Sequence, residues 1–166
     1  MTKSYIAFGS NKGDKISHIS KAIELISENE KTEVKQISSL YETLPYGDVP
    51  QDNFLNGVLL LTTDYNLNEL FVFLKSVEKK VGRTPSERWG PREIDLDILT
   101  FGNVVQSEGE VIVPHIGITK RDFVIQPLLE LDEEIVLPGF ESKLKKLDLS
   151  EIEKNIINKL SHKITY

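Results

Sequence analysis

Two aspartates, Asp95 and Asp97, stand two positions apart in the run Ile94-Asp95-Leu96-Asp97-Ile98-Leu99. An alternating run of this kind suits a β-strand, and on a strand residues two apart share a face. Both carboxylates then point one way, their Cα atoms roughly 7 Å apart, while Ile94, Leu96 and Ile98 point into the opposite layer. Carboxylates at that spacing suit hard cations such as magnesium, which takes few protein oxygens and completes its shell with water and substrate phosphates. Just upstream, Arg88 and Arg92 bracket Gly90-Pro91, a pair that makes a rigid turn. Guanidinium groups beside a cation pair suit a polyanion, and the combination points to phosphoryl-type transfer. A bare D-x-D is also common on solvated strand faces. Here the nearby arginines, a second polar cluster at His115 and Arg121, and a strand expected in the middle of the sheet argue for a ligand site. The three histidines lie far apart in sequence, so no transition-metal site is expected.

The elements that must position these groups follow from periodicity. Residues 3–9 read as a first strand ending in a turn. Asp14 or Asn11 caps a helix with Ile16, Ile19, Ile23 and Ile26 on one stripe. Gly9–Lys15 lacks the G-x-x-x-x-G-K-[ST] spacing of a phosphate loop and reads as a plain strand-to-helix turn. Thr32–Glu42 reads as a second strand. Residues 43–53, with Pro45, Gly47 and Pro50, form a loop longer than a hairpin needs, and such loops are often functional. Phe54–Thr63 reads as a central strand buried on both faces. Asn56 interrupts it, either satisfied by a local partner or kept for ligand recognition. A capping box at Asn66–Glu69 opens a second helix that runs to Val81, with Gly82 closing it. The charged loop Arg83–Pro91 then leads into the acidic strand.

Beyond Phe101 the pattern predicts a Gly102-Asn103 turn into a Val104-Val105 strand, an edge strand within 108–113, and a helix over Arg121–Leu131 disturbed by Pro127. A short extended piece at Ile135–Pro138 and a final amphipathic helix over Asp148–Leu160 follow. The order βαββαβ predicts an α+β fold: a ferredoxin-like core, a mainly antiparallel sheet with helices packed on one face, and C-terminal elaboration. Residues 1–166 are expected to form a single domain.

Composition narrows the classes. The chain has 166 residues, a net charge of −6 and no cysteine. Bulk charge therefore disfavours nucleic acid and anionic membranes, and any anion site must be a local basic patch. Disulfides, thiolate metal sites and cysteine nucleophiles are excluded. Without a long apolar leader or a run of ~20 apolar residues, a cytoplasmic protein is expected.

The run from Arg88 to Leu99 resembles the signature of the 6-hydroxymethyl-7,8-dihydropterin pyrophosphokinase family. Four other segments match the family in order: Tyr5–Asn11, Ser38–Thr43, Asn53–Asn56, and the pair Val113-Pro114-His115 with Arg121–Val124. The resemblance implies transfer of the β,γ-pyrophosphoryl group of ATP to the pterin's hydroxymethyl oxygen, with release of AMP. It implies two magnesium ions bridged by Asp95 and Asp97, phosphate contact by Arg92, and a mobile Arg83 delivered by loop closure. Trp89 would help close that loop over the pterin. Phe54 and Phe123 would sandwich the flat ring, Asn56 would read its amide-and-amine edge, and Thr43, Leu44 and Tyr46 would add backbone bonds. Glu78, Ile98, His115 and Arg121 would line the nucleotide site with Arg92. Glu93, inside the motif, carries no role. The chain departs from the family's pattern at Phe54, where tyrosine is common, at Glu110, Ile112 and Ile116, and in a shorter Arg83–Arg88 loop. The implied partners are ATP and the pterin, with no nucleic acid and no membrane, and the chain is expected to be a monomer. Two other classes compete: a silent nucleotide- or pterin-binding module, and a ferredoxin-like interaction domain with a surface D-x-D.

Overall fold

A computed structural model describes residues 1–45, 50–86 and 90–166; Tyr46, Arg88 and Trp89 lie outside the described residues. Strand β1 (Thr2–Ser10) leads into helix α1 (Lys15–Ser27), whose N-terminus is capped by the Asp14 side chain accepting from the Ser17 amide. Strands β2 (Thr32–Ile37), β3 (Tyr41–Thr43) and β4 (Phe54–Thr63) follow. Helix α2 (Leu67–Val81) opens with the Asn66/Glu69 capping box and closes at Gly82 in the left-handed region. Strand β5 (Asp95–Phe101), helix α3 (Asp122–Leu131) and strand β6 (Ile156–Lys159) complete the order.

The sheet runs β5-β1-β4-β3-β6, with β2 also paired to β4, and each of these pairings is antiparallel. This is the predicted βαββαβ core, with its second strand split in two. The split has a local cause. The Ser38 hydroxyl takes the Val58 amide at 2.9 Å, and the Ser39 amide turns away to the Glu130 carboxylate at 2.9 Å. Side-chain bonds thus interrupt the backbone ladder at Ser38 and Ser39.

Helices cover both faces rather than one. Ile19, Ile23, Leu70 and Leu74 of α1 and α2 pack with Ile6, Phe8, Leu96 and Ile98. On the opposite face Val124 and Leu128 of α3 pack with Tyr5, Val58, Leu60 and Leu99. Asp95 and Asp97 share the face of Leu99, the face of α3.

Three expectations need correction. The acidic strand β5 is an edge strand, not a central one. Its outward-facing backbone is satisfied by neighbours: the Leu96 amide donates to Glu78 at 2.8 Å, the Leu96 carbonyl accepts from Lys75 at 3.1 Å, and the Leu99 carbonyl accepts from the His115 amide at 2.8 Å. Those partners protect the edge from pairing with another chain. The strands expected at 104–105 and 108–113 reduce to a single bridge between Gln106 and Val113, and that at 135–138 to one between Val136 and Lys143.

The final helix over Asp148–Leu160 does not form; residues 156–159 pair with β3 instead. The apolar positions that looked like one helical stripe serve two cores. Leu149 and Ile152 pack on the α3 side, while Leu160 packs on the α1/α2 side. The Asp122 carboxylate accepts from the Asn155 and Ile156 amides at 2.9 and 3.0 Å, fixing an extended entry onto the open edge of β3. β-branched Ile156 and Ile157 suit that ladder.

Candidate functional site

A cleft of about 780 Å³, counting its solvent-filled mouth, opens on the α3 face of the sheet beside the second apolar cluster. Register builds its floor. Asp97 lies opposite Ala7, Asp95 opposite Gly9, and Gly9 in turn opposite Asn56, so one row across three strands runs from carboxylate to amide. Gly9 keeps that row open. A Cβ there would fall 2.4 Å from the Asn56 Oδ1 and 3.6 Å from the Phe54 ring. Asn56 is 9% exposed, and its amide nitrogen donates to the Thr43 hydroxyl at 2.7 Å, which fixes its orientation. Phe54 at the start of β4 and Phe123 in the first turn of α3 both line the cleft. Gly9→Ala should push the Asn56 amide aside and weaken pterin binding by about 10- to 100-fold, with nucleotide affinity little changed. Calorimetric titration with each ligand separately checks this; equal losses for both would contradict the assignment.

The cationic side of the cleft centres on Asp95. Arg83 Nη1 donates to its Oδ1 at 2.8 Å and Arg92 Nη1 to its Oδ2 at 2.6 Å. Arg83 also donates to Glu78, so it is docked here across two carboxylates. The Nε of Arg92 is buried and has no hydrogen-bond partner among the described residues, a donor left for an anion. Asp97 differs. Its side chain is 45% exposed, and Lys75 Nζ lies 4.0 Å away. The surrounding protein and the like charge of Asp95 push its carboxyl up from the ordinary value. The open face toward solvent makes that push smaller than a sealed carboxylate would feel.

His115 sits beside this pair, held by its amide on Leu99 and by its Nδ1, which accepts from the Gly117 amide at 3.0 Å. Burial lowers its pKa against the pull of Asp97, so it is neutral near pH 7 with its proton on Nε2. Arg121 also lines the cleft, its guanidinium 5.9 Å from the Phe123 ring centre. Thr43 and Leu44 lie at the rim; Leu44 is 51% exposed and its amide donates to Asn155.

The structure does not bring every expected residue into the cleft. Glu78 is 3% exposed and faces the edge of β5. The Ile98 side chain points into the α1/α2 core. Tyr46 and Trp89 fall outside the described residues.

Two residues not expected at the site join the loops around the cleft: Asn11, an alternative helix cap in the sequence although Asp14 takes that place, and Glu93. The Asn11 side chain is 2% exposed; it donates to Gln51 Oε1 at 2.8 Å and to the Asp52 carbonyl at 2.9 Å, and its Oδ1 accepts from the Arg92 amide at 2.8 Å. Glu93 is 8% exposed beneath Lys12 and Thr84. Burial acts to raise its pKa, but the Lys12 ammonium and the Thr84 donors outweigh it and hold the carboxyl at about 2, against an ordinary 4.5. A folded pKa below the unfolded one stabilises above pH 4.5, and that contribution is lost as pH falls toward 2. Glu93→Gln should therefore cost about 1–2 kcal/mol at pH 7, with the gap from the parent closing in acid. Urea unfolding at pH 7 and pH 3 reads this directly; a gap of equal size at both would contradict it. Nothing in sequence spacing links Lys12, Thr84 and Glu93, because they meet only after the strands pair.

Among the described residues, no group of three or more His, Cys, Asp or Glu is placed to hold a metal by itself. The donor set does fit magnesium. Two hard oxygen donors share the cleft face, one of them solvent-open, and the ion draws the rest of its shell from water and phosphate. Asp95, although gripped by two arginines, retains lone-pair sites, since an ionised carboxylate offers about four. No helix among the described residues is long and apolar enough to cross a membrane.

Comparison with known proteins finds the chain similar to pterin pyrophosphokinases. Residues 5–133 match the family described as 7,8-dihydro-6-hydroxymethylpterin-pyrophosphokinase. The chain is 43% identical over 146 residues to the 2-amino-4-hydroxy-6-hydroxymethyldihydropteridine pyrophosphokinase of Aquifex aeolicus, covering 88% of this chain and 90% of that protein. It is 39% identical over 131 residues to the Bacillus subtilis protein of the same name, covering 79% and 78%. The crystal structure of wild-type Plasmodium falciparum HPPK-DHPS shares the fold at a TM-score of 0.66 and 12% identity; the match covers 87% of this chain but only 43% of that one.

Proposed function

The chain belongs to the 7,8-dihydro-6-hydroxymethylpterin-pyrophosphokinase family and is a pyrophosphokinase, and from that premise we propose how its own residues perform the transfer. The reaction moves the pyrophosphoryl group of ATP to hydroxymethyldihydropterin in folate synthesis. The hydroxymethyl oxygen bonds to the β-phosphorus, the bond from that phosphorus to the oxygen it shares with the α-phosphorus breaks, and AMP leaves. The observation that carries the reading is a single cleft holding Asp95 and Asp97, Arg92, and the Phe54–Asn56 and Phe123 walls.

Phe54 and Phe123 hold the flat ring by stacking, and the Asn56 amide, already oriented by Thr43, reads the ring's donor-acceptor edge. Main-chain groups of Thr43 and Leu44 complete that edge. Arg92, with a buried unpartnered Nε, and Arg83 neutralise the transferred group as charge builds on it. His115 and Arg121 bind the nucleotide from the far wall. Glu78 acts from beneath by holding Arg83, and Ile98 contributes through its main chain. Asp95 and Asp97 are the anchors for two magnesium ions, which when bound supply charge neutralisation and alignment of the triphosphate. Positioning and electrostatics suffice for such a transfer, so no strong base is assigned.

We further read residues 1–166 as one domain, since β6 joins the same sheet and residues 149–160 enter both cores. A cytoplasmic monomer fits this reading. Electron paramagnetic titration of manganese into the complex with a non-hydrolysable ATP analogue tests the metal assignment. Two bound ions are expected in the parent and fewer in Asp95→Asn. A variant that retains both ions would remove the assignment.

A further inference from the structure

We propose that Glu93, together with Lys12, is a positioning residue for Arg83: it clamps the chain just beyond α2 so that the arginine stays on Asp95. This rests on the catalytic reading of Arg83 given above.

The geometry is a closed triangle. Glu93 Oε2 accepts from the Thr84 amide at 3.2 Å and Oε1 from the Thr84 hydroxyl at 2.9 Å. Lys12 Nζ lies 2.7 Å from Glu93 Oε1 and donates to the Thr84 hydroxyl at 3.0 Å. The three residues come from three separate segments: the turn between β1 and α1, the chain after α2, and the approach to β5. The neighbouring residues reinforce the join, because the Asn11 amide donates to the Arg92 carbonyl at 3.0 Å and Asn11 Oδ1 accepts from the Arg92 amide.

Arg83 sits between two anchors. On one side its amide donates to the Glu78 carbonyl at 3.0 Å, in the wake of the left-handed Gly82. On the other, Thr84 is held by Glu93. With both ends of the residue fixed, its side chain has a short arc to search, and its guanidinium rests on Asp95 Oδ1. Without Glu93 the second anchor is gone. A long, rotamer-rich side chain on a loosened backbone spends less time in the productive pose. The carboxylate stands in the middle of a chemistry-bearing motif and joins the triangle beside Arg83, so the stability it adds acts where the arginine is placed.

The test compares Glu93→Ala, Glu93→Gln, Arg83→Ala and the double variant Glu93→Ala/Arg83→Ala, following kcat, KM for each substrate and exchange of the Thr84 amide. Glu93→Ala should lower kcat by about 10- to 100-fold with each KM within about threefold, and Glu93→Gln should recover part of the loss. In the Arg83→Ala background the Glu93 change should cost little more, because residues acting through one another are not additive. Full additivity, or a loss confined to KM, overturns the proposal. If Arg83→Ala keeps the parent's kcat, the catalytic reading of Arg83 fails, and the clamp is then judged by exchange alone. Faster exchange at Thr84 in Glu93→Ala, with β1 amides unchanged, supports the clamp; unchanged exchange at Thr84 overturns it. Should Glu93→Ala not fold, Glu93→Gln and Lys12→Met carry the same comparisons.

Discussion

Asp97→Ala should lower kcat by about a thousandfold or more while the protein stays folded. The two halves of that statement have different causes. The fold does not depend on Asp97. Its side chain is nearly half exposed, Lys75 stands 4.0 Å away, and it sits beside a like charge. Removing it takes away repulsion with Asp95 and no hydrogen bond found among the described residues, so the melting temperature should hold or rise slightly. The catalytic loss comes from removing a hard oxygen donor from the solvent-open part of the cleft floor. Asp95 is the instructive contrast. Its two oxygens accept from Arg83 and Arg92, so Asp95→Ala should lose turnover and also cost about 1–3 kcal/mol, because two guanidinium groups lose their acceptor. Thermal melts and steady-state rates on the two variants separate the cases. Similar destabilisation in both would contradict the difference in their surroundings.

Arg83→Ala should lower kcat by about 10²- to 10³-fold with little change in the affinity for either substrate. A group that bound both substrate and transition state would shift KM; one that meets charge only as it develops shifts kcat. In the structure the guanidinium is already parked on Asp95 and Glu78, and Asp95 lines the cleft in which the phosphates are proposed to lie. It therefore has a short path to the transferred group. Arg83→Lys should recover little, since an ammonium lacks the planar, delocalised fork that matches a phosphate. Pre-steady-state rates with direct binding measurements check this; a loss confined to affinity would contradict it.

Much of this was legible in the residues. The alternation around Asp95 and Asp97, the Asn66 capping box, the left-handed stop at Gly82 and the apolar run of β4 each rest on local rules, and each appears as read. The family resemblance placed Phe54, Asn56, Arg92, His115, Arg121 and Phe123, all of which line one cleft.

What failed depended on distant partners. The C-terminal helix was inferred from spacing, but Asp122 and the open edge of β3 pull that segment into a strand. The rank of β5 in the sheet could not be read from its own sequence, because Glu78, Lys75 and His115 do the work that a neighbouring strand would do. Glu93 looked idle because its partners, Lys12 and Thr84, are far away in the chain. Glu78 and Ile98, expected along the nucleotide wall, lie instead behind the sheet edge and in the core. Their side chains follow the strand and helix faces that β5 and α2 dictate.

The most direct measurement is product analysis. Incubated with ATP, magnesium and 6-hydroxymethyl-7,8-dihydropterin, the protein should form AMP one-for-one with the pterin diphosphate. That yield should vanish when magnesium is chelated and fall by orders of magnitude in Asp97→Ala. ADP as the product, or AMP formed equally fast by Asp97→Ala, would contradict a cleft organised around the acidic pair.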